Sequence, residues 1–347
     1  MLKVCILFLS IASSLHYVMP DPAKCRQRQR IVWCQDRGFV DIPLDIPLQT
    51  QKLFLQDNEL QFDDFPLPRA KLTELNLDGN LMRSLPTSLP TTLTTLTANV
   101  NRIVRVGVES LRSLVSLRKL SLMDNRLSEF APLVVFGESN RTQLLGKLQT
   151  LDLSKNVLTE VPRGLPPTLE VLKLSYNRIK HLRIDSIRYL PHLKKVCLGG
   201  NIIKSVPNNF FNPHTQIKTL DLSNNLLNEI PYNLPSSLNI LMLRNNSIKW
   251  ISNSQNNKTG LEALKRLQNL DLAQNNLTGV EKGSLPVENQ NERIMVVKLS
   301  ENKWRCDCNI KYLRDWLLSN RVMTSNSKYE VVCHSPPMLA GVSFFYQ

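Results

Sequence analysis

The residues in this chain that could do chemistry are few, and their spacing does not match the patterns that catalysis requires. The five histidines are His16, His181, His192, His214 and His334, and none has the spacing of a metal ligand. His181 and His192 lie among basic residues. The sequence contains neither a glycine-rich phosphate loop nor a nucleophile elbow, and it has only 12 glycines. We therefore predict that the protein is not an enzyme and that it has no metal site and no cofactor.

Three aspartates occupy the same place in three "LDL" segments: Asp152, Asp221 and Asp271. Equivalent positions argue for ordinary polar groups on a repeated surface rather than for a catalytic carboxylate pair. The elements that carry these aspartates must therefore be repeated as well.

A short pattern of aliphatic residues that ends in Asn recurs along the chain. The segments "LQTLDLSKNVL" (148–158), "LEVLKLSYNRI" (169–179) and "IKTLDLSNNLL" (217–227) have aliphatic residues at positions one, four, six and eleven and Asn at position nine. The Asn recurs eleven times: at 58, 80, 101, 125, 156, 177, 201, 225, 246, 275 and 302. This period predicts an α/β leucine-rich repeat solenoid, a curved horseshoe with parallel strands on its concave face, an irregular, polyproline-like convex side and a cap at each end.

Each repeat is too small to fold by itself, because its few buried aliphatics do not offset the entropy of ordering its backbone. Stacking completes the core, and the Asn amide is expected to bond turn backbone groups that the sheet leaves unpaired. A second column of apolar residues lies five positions after the Asn: Leu85, Val106, Phe130, Val161, Leu182, Val206, Ile230, Ile251 and Val280.

The repeat lengths alternate. From Asn156 the distance between successive Asn residues is 21, 24 and 24 residues. The short repeats share a Pro-rich sequence, as in "VPRGLPPTL" (161–169) and "IPYNLPSSL" (230–238). Proline suits an extended outer segment rather than a helix. With these triads the chain resembles the small leucine-rich proteoglycan family. The resemblance implies binding of fibrillar collagen or of growth factors of the transforming-growth-factor-β (TGF-β) type, and restraint of their signalling.

Four segments are predicted along the chain. Residues 1–19 are read as a secretory signal peptide, since an early lysine precedes a short apolar run. Residues 20–47 form a short cysteine-containing N-terminal cap, 48–302 about eleven leucine-rich repeats, and 303–347 a truncated C-terminal cap. We expect no membrane span and a secreted protein of the extracellular space or matrix.

Six cysteines follow the predicted signal peptide. Cys25 and Cys34 are nine residues apart and can form a small disulfide. The stretch "ENKWRCDCNIKYLRDWLLSN" resembles the C-terminal flanking cap of extracellular leucine-rich repeat proteins. That resemblance implies a disulfide between Cys306 and Cys333 and leaves Cys308 unpaired. Cys197 is expected to face the concave surface. We interpret a free thiol there as incidental rather than catalytic.

The formal net charge of +14 is concentrated in three windows, 24–37, 102–126 and 173–195. These basic groups lie mainly at position ten and beyond, and Arg102, Arg126 and Arg178 directly follow the repeated Asn. We predict that this flank attracts a sulfated glycosaminoglycan such as heparan sulfate through Arg178, Lys180, Arg183 and Arg188, with a merely solubilising flank as the alternative. Nucleic acid is not expected, because no stacking aromatics lie among these basic residues.

Four sequons predict glycosylation at Asn140, Asn245, Asn257 and Asn276. Repeat phase predicts the residues that contact a protein ligand on the concave face: Phe54, Glu74, Asn76, Lys119, Asp152, Lys173, Tyr176, Lys195, Asp221, Met242 and Asp271. A secreted matrix protein that binds growth factor or collagen is the leading hypothesis. A receptor-ectodomain-like recognition or adhesion module and a purely structural matrix protein are the alternatives.

Overall fold

Alternating aliphatic residues in each repeat give a short strand with one face on the core. The computed structural model describes residues 25–66, 71–136, 141–211, 216–252, 260–286, 295–318, 322–324 and 331–343. Within these residues, 14 of the strands form one main sheet, whose second to fourteenth strands are all parallel. Its strands in spatial order are Arg26–Arg28, Ile31–Trp33, Lys52–Phe54, Glu74–Asn76, Thr95–Thr97, Lys119–Ser121, Thr150–Asp152, Val171–Lys173, Lys195–Cys197, Thr219–Asp221, Ile240–Met242, Asn269–Asp271, Met295–Lys298 and Val322–Thr324.

The predicted leucine-rich repeat solenoid with its parallel sheet is confirmed. The aliphatics of positions four and six are buried in every repeat from Leu53 to Leu299, and they form one continuous core along the stack. The second apolar column is also buried or half-buried, from Leu85 to Val280. Because each layer of this core is closed by the next repeat, stability depends on the stack rather than on any single unit.

The repeated Asn side chains link successive repeats, as the sequence predicts. The amide Nδ2 of Asn177 donates to the carbonyl of Leu153 in the preceding repeat (2.9 Å) and to that of Leu174 in its own (3.0 Å). Its Oδ1 accepts the backbone N–H of Leu158 at 3.0 Å. Equivalent bonds recur from Asn58 to Asn302. Each amide therefore satisfies backbone groups that have no partner in the sheet.

Position eight, immediately before the Asn, has a left-handed backbone in all eleven repeats, which residue type alone does not reveal. These residues have positive φ angles although most are not glycine: Asp57, Gly79, Val100, Asp124, Lys155, Tyr176, Gly200, Asn224, Asn245, Gln274 and Glu301. The turn directs the position-eight N–H toward the next repeat, as in the bond from Tyr176 N–H to the Gly199 carbonyl at 2.7 Å. The hydrogen-bond ladder thus continues beyond the three-residue strands.

The outer side is built from short, varied elements. Two parallel strand pairs lie there, Arg105–Val106 with Glu129–Phe130 and Trp250–Ile251 with Gly279–Val280. The repeat between Asn125 and Asn156 adds an antiparallel pair, Val134–Phe136 with Arg141–Gln143. The helical elements are the α-helices Val108–Arg112 and Ile310–Leu318 and the 3₁₀ helices Ile184–Ser186, Leu261–Ala263 and Pro337–Leu339.

Both ends carry a disulfide-bonded cap. Cys25 is bonded to Cys34, and Cys306 is bonded to Cys333, so the structure contains both predicted disulfides. In the C-terminal cap, the helix Ile310–Leu318 packs Leu313 and Leu317 onto the core, and the indole N–H of Trp316 donates to the Pro286 carbonyl at 3.0 Å. The caps close the two open ends of the apolar stack.

Candidate concave binding face

Two rows of side chains line the exposed face of the main sheet, which we call the concave face. Because neighbouring strands pair in register, position-three residues align with each other, as do position-five residues; Asp152, for example, is level with Lys173 and Ser121. The position-four side chain between the rows, such as Leu172, points into the core. Pleating therefore separates the ligand-facing residues from the packing residues.

Three pairs of oppositely charged residues lie across adjacent strands of this face. Lys52 contacts Glu74 (Nζ to Oε2, 2.9 Å), Lys173 contacts Asp152 (Nζ to Oδ2, 3.0 Å), and Lys298 contacts Asp271 (Nζ to Oδ2, 3.6 Å). The predicted contact residues Glu74, Asp152, Lys173 and Asp271 therefore balance charge inside the face.

The aspartates of position five are fixed by their own turns as well. The Asp152 carboxylate accepts the Ser154 N–H at 3.1 Å, and the Asp221 carboxylate accepts both the N–H (2.9 Å) and the hydroxyl (2.6 Å) of Ser223. Asp152 is only 8 % exposed, whereas Asp221 is half-buried. Asp221 is thus the more accessible of the two carboxylates.

Other predicted contacts also have structural partners. The Asn76 carboxamide oxygen accepts the Asp78 N–H at 2.8 Å, and Phe54 stacks on Trp33 with ring centroids 6.4 Å apart. Met242 is half-buried on the eleventh strand of the main sheet. These residues shape the surface while leaving part of each side chain exposed.

The centre of the face has exposed groups that are not held by ion pairs. Lys119 and Lys195 are exposed, and among the described residues neither has a carboxylate within 4 Å. Tyr176 is 58 % exposed and lies just beyond its strand, at the edge of the face. We call Lys119, Tyr176, Lys195 and Asp221 the central cluster.

A glycine pair makes room within this cluster. A Cβ at Gly200 would lie 2.6 Å from the Tyr176 ring, and one at Gly199 would lie 3.0 Å from the Asp221 carboxylate. The dipeptide "GG" before Asn201 is the sequence signal for this close packing, which the repeat phase alone does not identify. The missing side chains let the Tyr176 ring and the Asp221 carboxylate lie close against the backbone of this dipeptide.

Cys197 lies on the concave face but is nearly covered. Its neighbour Val196 points into the core, and the thiol sits level with Lys173 and Asp221 in the position-five row. Burial raises the pKa of the Cys197 thiol, and the nearby Lys195 only partly opposes that effect. The thiol is therefore protonated at neutral pH and is a poor nucleophile.

The predicted polyanion-binding residues lie on the lateral flank after Asn177. Arg178 and Lys180 are exposed, whereas Arg183 pairs with Asp185 (Nε to Oδ1, 3.3 Å) and Arg188 lies 5.8 Å from the centroid of the Tyr189 ring. Hydrogen bonding to Arg183 lowers the pKa of Asp185 and raises that of Arg183. One of the four cations is thus offset by a local carboxylate.

Two of the four sequons lie within the described residues. Asn245 is exposed and its Nδ2 donates to Asn224 Oδ1 at 2.9 Å, while Asn276 is half-buried. Asn140 and Asn257 lie outside the described residues, as does the predicted signal peptide. Glycosylation at all four positions remains a prediction.

Metal binding and membrane crossing each require a recognisable arrangement of residues. No group of three or more His, Cys, Asp or Glu in the described part of the chain is arranged to hold a metal ion. No helix among the same residues has the length and apolar character needed to cross a membrane.

Comparison with known proteins agrees with the repeat architecture. A sequence model of the family described as "Leucine rich repeat" matches residues 146–201 and 167–227. The fold, the two cap disulfides and the relatives below together define an extracellular leucine-rich repeat protein.

The relatives fall into two groups. The leucine-rich repeat transmembrane protein FLRT2 of Rattus norvegicus is 28 % identical over 344 residues, which is 97 % of this chain and 50 % of FLRT2. Keratocan of Danio rerio is 29 % identical over 64 % of this chain and 70 % of its own length, and podocan of Mus musculus is 30 % identical over 57 % of this chain and 33 % of its own. The chain therefore spans about half the length of FLRT2.

A solved structure has the same repeat fold. One chain of an octameric complex of latrophilin 3, Unc5D and the leucine-rich repeats of FLRT2 superposes with a TM-score of 0.78 at 26 % identity, covering 92 % of this chain and 95 % of that one. Within the proteoglycan family, the sequence predicts a strongest likeness to nephrocan, then to podocan and chondroadherin. These relatives include podocan but do not specifically support nephrocan.

Proposed function

We propose that this chain is a secreted binding module that holds a protein ligand against its concave face. The observation that carries the proposal is the central cluster, where exposed lysines, an exposed tyrosine and a half-buried aspartate lie on a rigid parallel sheet. A sheet fixed by inter-repeat hydrogen bonds loses little conformational freedom on binding, so more of the contact energy appears as affinity.

The chemistry of the cluster suits a folded protein surface. Tyr176 offers a large exposed ring, and tyrosine is enriched at energetically important interface positions. Lys119 and Lys195 lie three strands apart in one row, about 14 Å at normal strand spacing, so a single small ion cannot engage both. A partner with separated acidic groups around an apolar centre complements this pattern.

For the partner, we propose fibrillar collagen or a growth factor of the TGF-β type, whose signalling the module restrains in the extracellular matrix. The support is the resemblance to small leucine-rich proteoglycans, with keratocan and podocan among the relatives. The basic flank at Arg178, Lys180, Arg183 and Arg188 would add attachment to heparan sulfate, in an additive and salt-sensitive way.

A second candidate is an adhesion or receptor-ectodomain module that binds the extracellular part of another cell-surface protein. A specific observation favours it: FLRT2 matches nearly the whole chain, and its repeats occur in a complex with latrophilin 3 and Unc5D. A structural matrix protein with no such ligand is the third candidate.

One panel experiment separates these candidates. The purified secreted protein is passed over immobilised collagens, TGF-β-type growth factors and extracellular domains of adhesion receptors by surface plasmon resonance. The ligand that binds should lose affinity at least about tenfold with Lys195→Glu, as expected for reversal of an interface charge. The matched control, Lys147→Glu, reverses an exposed lysine outside the strands and should change affinity less than about twofold.

The possible outcomes distinguish the proposals. Binding to collagen or growth factor supports the matrix role, and binding only to a receptor domain supports the adhesion role. Equal losses with Lys195→Glu and Lys147→Glu would contradict a concave-face site. If none of the panel proteins binds, the result favours the third candidate, a structural matrix protein.

A further inference from the structure

A cationic cavity lies at the N-terminal end of the main sheet, at a distance along the stack from the central cluster. It has a volume of about 410 Å³ and is lined by Arg26, Arg28, Trp33, Gln35 and Arg37. This volume falls within the range of about 300–1,000 Å³ typical of small-ligand sites. Three of the five lining side chains are guanidinium groups, and none is acidic.

The cavity is built on a disulfide-bonded hairpin. Arg26–Arg28 pairs antiparallel with Ile31–Trp33, so that Arg26 stands directly opposite Trp33. The disulfide joins Cys25 to Cys34, the residues next to Arg26 and Trp33, with their Cα atoms 4.6 Å apart. The hairpin is also attached to the first repeat by the bond from Cys34 N–H to the Phe54 carbonyl at 2.7 Å.

An aromatic ring lines the cavity beside the arginines. The rings of Trp33 and Phe54 stack with an interplanar angle of 14°, and Trp33 is half-buried, so part of its indole remains accessible. The stack continues the position-five row of the concave face, since Trp33, Phe54 and Asn76 are level in the sheet. A flat, fixed ring of this kind presents a surface for a planar or chair-shaped group.

Arg26 and Arg28 are the accessible cations of this cavity. Arg26 and Arg28 are exposed, and within the described residues neither has a carboxylate within 4 Å. Arg37 is half-buried, and its backbone N–H is fixed to Asn58 Oδ1 at 3.0 Å. Guanidinium groups form paired, charge-assisted hydrogen bonds to planar or tetrahedral oxyanions.

We propose that this cavity binds a short sulfated saccharide, with one sugar ring on Trp33 and its sulfate and carboxylate groups on Arg26 and Arg28. The lining favours a saccharide over an acidic peptide, because it provides one aromatic face and polar groups but no aliphatic pocket for a peptide side chain. The site is separate from the basic flank at Arg178, which lies six strands along the sheet.

The test uses the whole protein carrying Arg178→Gln and Lys180→Gln, so that the basic flank does not contribute, and a heparin-derived tetrasaccharide, with binding measured by calorimetry. Arg26→Gln and Arg28→Gln should each weaken binding about tenfold, since each removes one charge-assisted contact. Arg30→Gln is the matched control: it removes the same charge from an exposed residue of the same hairpin that does not line the cavity, and should have less than about a twofold effect.

Two further measurements sharpen the result. Saturating tetrasaccharide should quench tryptophan emission in the native protein and not in Trp33→Leu, while the desulfated tetrasaccharide should not bind. Equal losses for Arg26→Gln, Arg28→Gln and Arg30→Gln would overturn the site in favour of diffuse attraction. Tighter binding of a sulfotyrosine peptide that displaces the tetrasaccharide would overturn the saccharide assignment. Neither result bears on the concave-face proposal, because the panel ligands are measured separately.

Discussion

The ring of Tyr176 occupies the space that a side chain at Gly200 would need, with a Cβ there falling 2.6 Å from ring Cδ1. Both residues hold position eight of neighbouring repeats, and both have positive φ angles. The absence of a side chain in one repeat therefore sets the orientation of an exposed aromatic in the preceding one.

This contact predicts a separation of stability from binding. Gly200→Ala should cost about 1–2 kcal/mol of unfolding free energy from its left-handed backbone and should also displace Tyr176. Gly38→Ala is the control, because Gly38 has a similar φ of 66° but no atom within 4 Å of the position that a Cβ would take. Denaturant unfolding should show similar losses for both variants, whereas only Gly200→Ala should weaken ligand binding. A binding loss in Gly38→Ala would contradict this assignment.

Val100 carries strain that can be removed. It is a β-branched residue with a φ of 52°, in the left-handed region that such residues avoid. Val100→Asn should raise the free energy of unfolding by about 1 kcal/mol, because Asn tolerates that conformation. The comparison is Val104→Asn, an exposed valine that is not in the left-handed region. If thermal unfolding shifts equally in both variants, the added polar side chain rather than relief of backbone strain is responsible.

The Asn column should be the most sensitive polar feature of the fold. Asn177→Ala removes the partner of the Leu158 N–H and of two carbonyl groups, and should cost about 2–5 kcal/mol. Asn239→Ala loses one exposed bond, to the Arg266 carbonyl, and should cost less than about 1 kcal/mol. Chemical denaturation measures both, and similar losses would refute the role of the column in joining the repeats.

The sequence predicts the core of this fold well because its signals are local and repeated. Aliphatic spacing identifies Leu151 and Leu153 as core residues, and the recurring ninth position identifies Asn156 as the inter-repeat link. The left-handed turn has no such signal, because Lys155 and Glu301 have little in common as residue types. It arises from the geometry that continues the ladder to the next repeat.

Contacts between repeats are harder to predict than positions within a repeat. Asp152 is covered and pairs with Lys173 because of the register between their two strands. The sequence of either repeat alone does not specify that register. The cavity at Arg26 likewise depends on an antiparallel hairpin whose strands are only three residues long. Function is less determined still, because repeat phase places side chains on a face without specifying what they bind.

The two free cysteines among the described residues should differ in reactivity. Cys308 is exposed, whereas Cys197 is buried and burial raises the pKa of its thiol. Iodoacetamide at neutral pH should therefore label Cys308 first. Because the folded-state pKa of Cys197 is raised, its contribution to stability is complete below the unfolded pKa of about 8.5 and is lost as pH rises through the folded value. Cys197→Ala should reduce the fall in stability at alkaline pH, and faster labelling of Cys197 would contradict its burial.

A glycan placed on the concave face tests the central claim most directly. Lys195→Asn with Cys197→Thr creates a sequon at the middle of the face, and Lys147→Asn with Gln149→Thr creates a control sequon at an exposed residue outside the strands. Once mass spectrometry shows both variants glycosylated and both unfold at similar temperatures, their affinities for the protein ligand are compared by surface plasmon resonance. We predict that binding is abolished in the first variant and unchanged in the second. Undiminished binding by a protein with a glycan at position 195 would contradict a ligand site on the concave face.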